Sequence, residues 1–251
     1  ARSRKHIEKY YDTADIGKFP NRLKPKTLTP AIDTKNQFKD IGVMYDEIST
    51  LTLASYTPLG YVRADKRADY EEKYDMTTHT GSVFRQVDRE QSLIYLMRVN
   101  LLKRLESSIH SFKLTVNKLI ELVDSNLKQI EQHQNGEVDY ELSITEVDID
   151  DTDLEDMLIG GKTKVLIQDI DIIRWKQDLK QDRKILTDLM GSIKLIDAER
   201  DAKLLALKNI IEEKLENPIN PDNKKVIVFT AFADTAIYLY KELSEWLKIG
   251  R

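Results

Sequence analysis

The chain has 251 residues, 33 % of them charged and 41 % hydrophobic, and no cysteine. That length accommodates one large domain or two ordinary ones with a real core, while the missing cysteines remove disulfides, thiolate metal sites and cysteine nucleophiles and fit a reducing, cytoplasmic setting. No apolar run reaches the roughly 18 residues of a membrane span, so no membrane partner is expected.

The net charge of −4 is unevenly spread: ten carboxylates and no Lys or Arg lie between Gln134 and Gly161, whereas residues 1–39 hold ten Lys/Arg against four Asp/Glu. A basic end of that kind suits phosphates as a partner or simply a solvated surface.

Residues 1–32 are punctuated by Pro20, Pro25 and Pro30. Each proline pushes its predecessor towards the β region, so "LKPKTLTPAID" is predicted to be extended and only "SRKHIEKYYD" helical. A helix is predicted from Asp33 to about Tyr56, with Asp33 or Thr34 as its cap and Phe38, Ile41, Tyr45, Ile48 and Leu51 along one side. "TPLGY" ends it, and a short charged helix, "RADKRADYEEKYD", leads to the loop "MTTHTGS".

The strongest periodicity follows. Leu102, Ile109, Val116, Val123 and Ile130 recur every seven residues, with Leu105, Phe112 and Leu119 between them and Asn126 interrupting. Ile172, Leu179, Leu186 and Ile193 answer at the same spacing, joined by Trp175, Leu189 and Ile196 and broken by Asp182. Apolar heptads require a partner helix, so a single helix over 88–133 and a second one should form an antiparallel coiled-coil hairpin over 88–199. Its connection, 134–165, is long for a compact domain. "VDYELSIT" alternates as a strand does, and "DIDDTDLEDMLIGG" reads as acidic helix-turn material. The acidic tip is a candidate docking place for a basic protein partner.

Near the end, Leu204, Leu207, Ile211 and Leu215 form a helical stripe that "NPINPDN" stops. A buried strand over 225–231 and a helix over 233–248 follow, the helix carrying Ala236, Leu239, Tyr240, Leu243 and Leu247 on one side. The fold class expected is mainly α with a small β element: a long coiled-coil hairpin plus a partial α/β unit at the C-terminus.

Several motifs fall short of chemistry. "LIGGKTKV" holds a Gly-Lys-Thr, but Asp156 stands where a phosphate loop needs its first glycine. "DIDDTDLED" places Asp153 and Ile159 where a calcium loop needs glycine and glutamate. His6, His79, His110 and His133 make no metal-ligand spacing.

The closing stretch carries a specific resemblance. "KKVIVFTAFADTAIYLYKEL", preceded by "RDAKLLALKNII", resembles the start of the second RecA-like lobe of superfamily-two helicases, nearest to the bacterial Swi/Snf-type DNA translocases. Asp201, Lys203 and Leu207 match that family's Asp-x-Lys-x-x-x-Leu helix, and Phe229–Thr230 matches the pair at the exit of its motif IV strand; Ala231 stands where members often carry a polar residue. "RSRKHIEKYY" resembles the basic end of the first lobe, "GKFPNRLKPKTLTP" the crossover, and "LMRVNLLKRLESSIHSF" the helical insertion.

The resemblance implies four divisions: 1–32 as lobe end and crossover strand, 33–87 as a helical segment, 88–199 as the hairpin arm and 200–251 as the opening of the second lobe. It implies an internal region of an ATP-dependent DNA helicase or translocase, with the nucleotide loop and magnesium-binding acid before Ala1, the arginine finger after Arg251, and "KPKTLTPAI" as a sheet neighbour of the ribbon. ATP and magnesium would serve the whole motor and duplex DNA would be its track. This chain would hold no cofactor, no metal and no catalytic residue of its own. For nucleic-acid contact the candidates are Thr230, Arg98, Lys103 and Arg104. The competing reading is a non-enzymatic coiled-coil scaffold.

Overall fold

The structure, a computed structural model, describes residues 6, 9–10, 19–77, 83–136, 141–143, 163–221 and 223–249. The acidic helix-turn, the calcium-like loop and most of the basic first segment lie outside them.

The described residues are mainly α. In chain order they form α1 (Ile41–Thr50), α2 (Arg67–Tyr74), β1 (Met76–Thr77), β2 (Val83–Phe84), α3 (Gln86–Ser107), α4 (Ile109–Gln134), β3 (Glu141–Ser143), β4 (Lys164–Leu166), α5 (Ile172–Ile193), α6 (Ala202–Glu216) and α7 (Ala233–Ile249). The strands pair antiparallel as β1–β2 and β3–β4. "MTTHTGS", expected as a loop, thus contributes β1, and the alternating "VDYELSIT" contributes β3. After the Gly-Lys-Thr the chain enters β4 rather than a helix, and Thr163 Oγ1 accepts a bond from Gln86 Nε2 (3.2 Å).

The heptad rows pack as their spacing demands. Val116, Leu119, Val123 and Ile130 of α4 and Leu179, Leu186, Leu189 and Ile193 of α5 are all buried. The two helices run antiparallel: Lys176 reaches Gln134 at one end (3.1 Å), Arg183 meets Asp124 midway (2.5 Å), and Lys113 meets the Lys194 carbonyl (3.4 Å) at the other. Each Leu, Ile or Val removed from water here stabilises by about 1.5–3 kcal/mol. The single helix predicted over 88–133 is instead two. Ser108 takes strand-like angles (φ −158°, ψ 135°), and its Oγ accepts the His110 N–H (3.1 Å) to cap α4. Serine side chains compete with the helix ladder in this way, and the 107–108 serine pair breaks it.

The helix predicted from Asp33 to Tyr56 survives only as α1. Asp40, not Asp33, caps it, accepting from the amides of Gly42 (2.8 Å) and Val43 (3.3 Å). Met44 and Ile48 face the core while Ile41 and Tyr45 are exposed, so the buried stripe lies to one side of the predicted one.

From Leu51 to Tyr61 the chain folds as two 3₁₀ turns (Ala54–Tyr56 and Pro58–Tyr61) pressed into the helices. What fixes them is the residue that interrupts the second heptad row. Asp182 is wholly buried and accepts three hydrogen bonds: from Thr52 N (2.7 Å), Thr52 Oγ1 (2.9 Å) and Ala54 N (2.9 Å). Leu53 between them is left-handed (φ 51°), which aims its neighbours' amides at one carboxylate. Trp175 and Asp178, on the same face of α5, hold Ala54 O (3.0 Å) and the Tyr61 hydroxyl (2.8 Å).

The ribbon is the main departure. Residues 223–230 pair with no strand among the described residues. Val226 and Val228 are 41 % and 42 % exposed, Ile227 and Phe229 77 % and 89 %. The buried strand predicted over 225–231 is therefore a bare segment, half covered on one side only. The crossover is not its neighbour either. It pairs instead with the start of α6, through an Asp33–Asp201 bridge and the bonds Thr34 N to Arg200 O (3.0 Å) and Ala202 N to Ile32 O (3.4 Å).

Two expectations follow from the core. Asp182→Leu would complete the heptad row but strand two buried amides and a hydroxyl, so it should destabilise by about 2–5 kcal/mol in urea melts rather than stabilise. Glu90 on α3 is 2 % exposed and neither carboxyl oxygen has a hydrogen-bond partner. Burial pushes its pKa up to about 9, with the loosely placed Leu59 and Gly60 amides pulling weakly the other way. The folded state thus keeps a proton that the unfolded state releases above about pH 4.5, so stability falls as pH rises from there towards 9. Glu90→Gln should flatten that decline and raise the melting temperature at pH 8, where the native acid costs on the order of several kcal/mol.

Candidate functional site

The break at Ser108 leaves room for α7. Its first turns dock where α3 ends and α4 begins, through polar groups set among apolar ones. Arg104, only 3 % exposed, pairs with Asp234 (Nη1 to Oδ2, 2.8 Å), donates to Asn100 Oδ1 (3.0 Å) and lies over the Phe232 ring at 4.8 Å. Thr235 Oγ1 sits between Ser111 Oγ (2.7 Å) and Ser107 Oγ (3.1 Å), and Ser107 is also 3.5 Å from Thr230 Oγ1. One turn on, the Tyr238 ring stacks flat on His110, with centroids 4.6 Å apart and planes 6° from parallel. Burial and the Lys113 charge hold the His110 pKa below its ordinary value, which keeps the stacked ring neutral.

The joint extends to α6. Asp201 caps that helix, Oδ1 accepting from Lys203 N (3.0 Å) and Leu204 N (3.0 Å), while Oδ2 accepts from the Tyr238 hydroxyl (3.0 Å). Lys203 Nζ reaches back to the Glu106 carbonyl at the end of α3. Beside it, Arg200 grips the buried Asp33 with two bonds (3.0 and 2.6 Å). That grip and two backbone amides hold the Asp33 pKa down to about 2, although burial opposes them. Its contribution to stability is present above the ordinary carboxylate value and is lost as pH falls through about 2.

The predicted contact residues separate in space. Thr230 and Arg104 meet at the joint, but Arg104 is committed to Asp234 and buried, so it offers no charge to a phosphate. Arg98 is likewise committed. Its guanidinium donates to the Leu51 carbonyl at the end of α1 (3.0 and 2.5 Å), satisfying one of the helix-end acceptors. Lys103 is exposed on α3, and Thr230 is half-buried at the end of the ribbon, accepting from Phe232 N (3.4 Å). Sequence reasoning missed Ser107, His110, Ser111, Asp234, Thr235 and Tyr238. The adjacent serines after a heptad run were the one available signal.

Chemically, the joint holds rather than reacts. Its hydroxyls bond to one another and its charges are paired in short contacts. Among the described residues no three His, Asp or Glu side chains come together as a metal would need, and no helix is long and apolar enough to cross a membrane.

Replacing Arg104 with Met leaves Asp234 without its partner in a mostly buried place. The expected cost is about 2–4 kcal/mol. Amide exchange should accelerate throughout α7 and in the first turn of α6 while α5 stays protected; uniform acceleration would mean that the joint is not a separate unit.

Comparison with protein-family models, with curated proteins and with solved structures finds no match to this chain.

Proposed function

We propose that this chain is the inter-lobe helical arm and the opening of the second RecA-like lobe of an ATP-driven DNA helicase or translocase of the Swi/Snf type, structural rather than catalytic by itself. One observation carries the reading: α6, the ribbon and α7 follow one another as helix, apolar segment and helix, although the segment is exposed and forms no strand among the described residues, against the buried strand expected. Val226 and Val228 turn towards a groove with Ile211, Leu215, Leu243 and Trp246, while Ile227 and Phe229 point the other way. A strand inside a parallel sheet reads as a continuous apolar run for this reason. Ile237 and Tyr240 on α7 are also bare, as a helix is when the sheet it covers is absent.

Three of the residues that carry the sequence resemblance have definite local roles. Asp201 caps the helix before the ribbon, Lys203 ties that helix to the arm, and Thr230 stands where the ribbon hands over to α7. Strand exits of that kind hold nucleic-acid phosphates through a hydroxyl and nearby backbone amides. In this reading ATP and magnesium belong to the whole motor and duplex DNA is its track.

A scaffold role for the hairpin is the second reading, favoured by the α4–α5 pair, whose surface is a helix hairpin's and whose acidic connection suits a basic partner. It leaves the ribbon without purpose, since a bare apolar edge is a hazard in a finished scaffold.

The flanking reading frame decides between them. Upstream it should encode a Gly-x-x-x-x-Gly-Lys-Thr followed by an Asp-Glu-x-His, and downstream further strand–helix units. The purified 251-residue chain should turn over no ATP above background. A flanking frame without those motifs, or ATP turnover by this chain, overturns the assignment.

A further inference from the structure

The proline-punctuated strap before α1 places charge where the resemblance assigns no contact. Residues 19–32 contain Arg22, Lys24 and Lys26 and no Asp or Glu. All three cations are exposed, as are the residues around them from Pro20 to Thr29. The three prolines keep this strap out of a helix; Ile32 O ties its end to Ala202 N, and Asn21 ties its start. Asn21 N donates to Asn220 Oδ1 (2.6 Å), and Asn220 Nδ2 donates to the Asn21 carbonyl (3.1 Å). That reciprocal pair joins segments 199 residues apart.

The consequence is electrostatic. Asn220 belongs to the turn that precedes the ribbon, and Lys224 and Lys225 follow it, both exposed. Five cations are thereby gathered on two adjoining segments, and none of their side chains forms an ion pair or hydrogen bond with another described residue. Asp222, the one acid within the turn, lies outside the described residues. A second cluster of cations behaves differently. A cleft of about 390 Å³ at the base of the arm sets Glu71, Asp75 and Asp88 among Arg67, Arg85 and Arg174, so its charges cancel internally.

We propose that the strap and the turn together form a contact surface for a nucleic-acid backbone. The strap offers charged donors at alternate positions (22, 24, 26), two threonine hydroxyls after them (Thr27 and Thr29) and no carboxylate of its own. That suits a ligand presenting negative charge at regular intervals, read through its phosphates and not its bases. It lies at the opposite end of the ribbon from Thr230. Five residues of extended chain separate the two, roughly 17 Å at about 3.3 Å per residue, so this surface is additional to the strand-exit contact and does not depend on it.

The test uses the whole chain and fluorescence anisotropy with a labelled duplex, titrated between about 50 and 200 mM salt. Wild-type protein should bind weakly at low salt and release steeply as salt rises. The triple variant Arg22→Ala/Lys24→Ala/Lys26→Ala should bind at least ~10-fold more weakly at low salt, and the slope of log K against log salt should fall by about 2–3, since each lost phosphate contact removes about 0.9. Asn220→Ala removes no charge but frees the strap, and should weaken binding less than the triple variant does. Thr230→Val should leave the slope unchanged. All these positions are exposed or half-buried, so unchanged melting temperatures will separate lost contact from lost fold. The proposal is overturned if the triple variant matches wild type, if wild type does not bind duplex at low salt, or if polyglutamate displaces the duplex at equal charge concentration, which would make this a surface for acidic proteins.

Discussion

A single buried carboxylate organises the helical arm. Asp182 sits in the seam between α4 and α5, where a leucine would ordinarily be, and gathers the amides on either side of Leu53. Without an acceptor there, the backbone between Leu51 and Tyr61 could not enter the core, because two inward N–H groups would lose water and gain nothing. Once it enters, Leu51, Leu53, Ala54, Tyr56 and Leu59 join the apolar cluster, and α1 comes with them. Arg98 then closes the end of α1 and Trp175 the following turn. Burial pushes the Asp182 pKa up while its three donors pull it down, so the site is poised between the cost of desolvating a charge and the bonds that charge makes.

The second organising feature is the helix break at Ser108. It converts what could be one rod into two segments with a socket at their junction, and α7 fills the socket. The contacts are mixed: an ion pair under an aromatic ring, a hydroxyl triad, and a histidine–tyrosine stack ending on a helix-capping aspartate. Such a joint is directional in a way an apolar one is not, because hydrogen bonds fail if the helices slide by a turn. The arm and the α6–ribbon–α7 unit are therefore held in one orientation, whatever that orientation serves.

How much of this was legible in the sequence depends on whether burial follows apolar spacing. The rows through Val116 and Leu186 do follow it, and their helices stand where the sevenfold repeat puts them. The face of α7 does not. Of its predicted stripe Ala236 and Tyr240 are exposed and Leu239 and Leu243 only half-buried, whereas Thr235 and Tyr238 are buried because Ser111 and Asp201 wait for their hydroxyls. A polar partner 124 residues away leaves no trace in local periodicity. Arg98 and Arg104 were misplaced for a similar reason: basic residues beside a heptad seam look like solvated charge, and here each satisfies a specific acceptor. Asp182 was visible only as an irregularity, and its meaning lay in a left-handed leucine no pattern reveals. The ribbon was read correctly as apolar on both sides and wrongly as covered.

That ribbon sets a limit on how the molecule can be handled. From Val226 to Phe229 its backbone pairs with no strand among the described residues, and its outward side chains include a phenylalanine and an isoleucine almost fully in water. Two such edges meeting in a crowded solution satisfy each other, and the lysines at 224 and 225 are the gatekeepers beside them. Self-association through this edge, and with it the concentration the chain tolerates, thus depends on some seven residues and on how much salt is present to mute the two charges beside them.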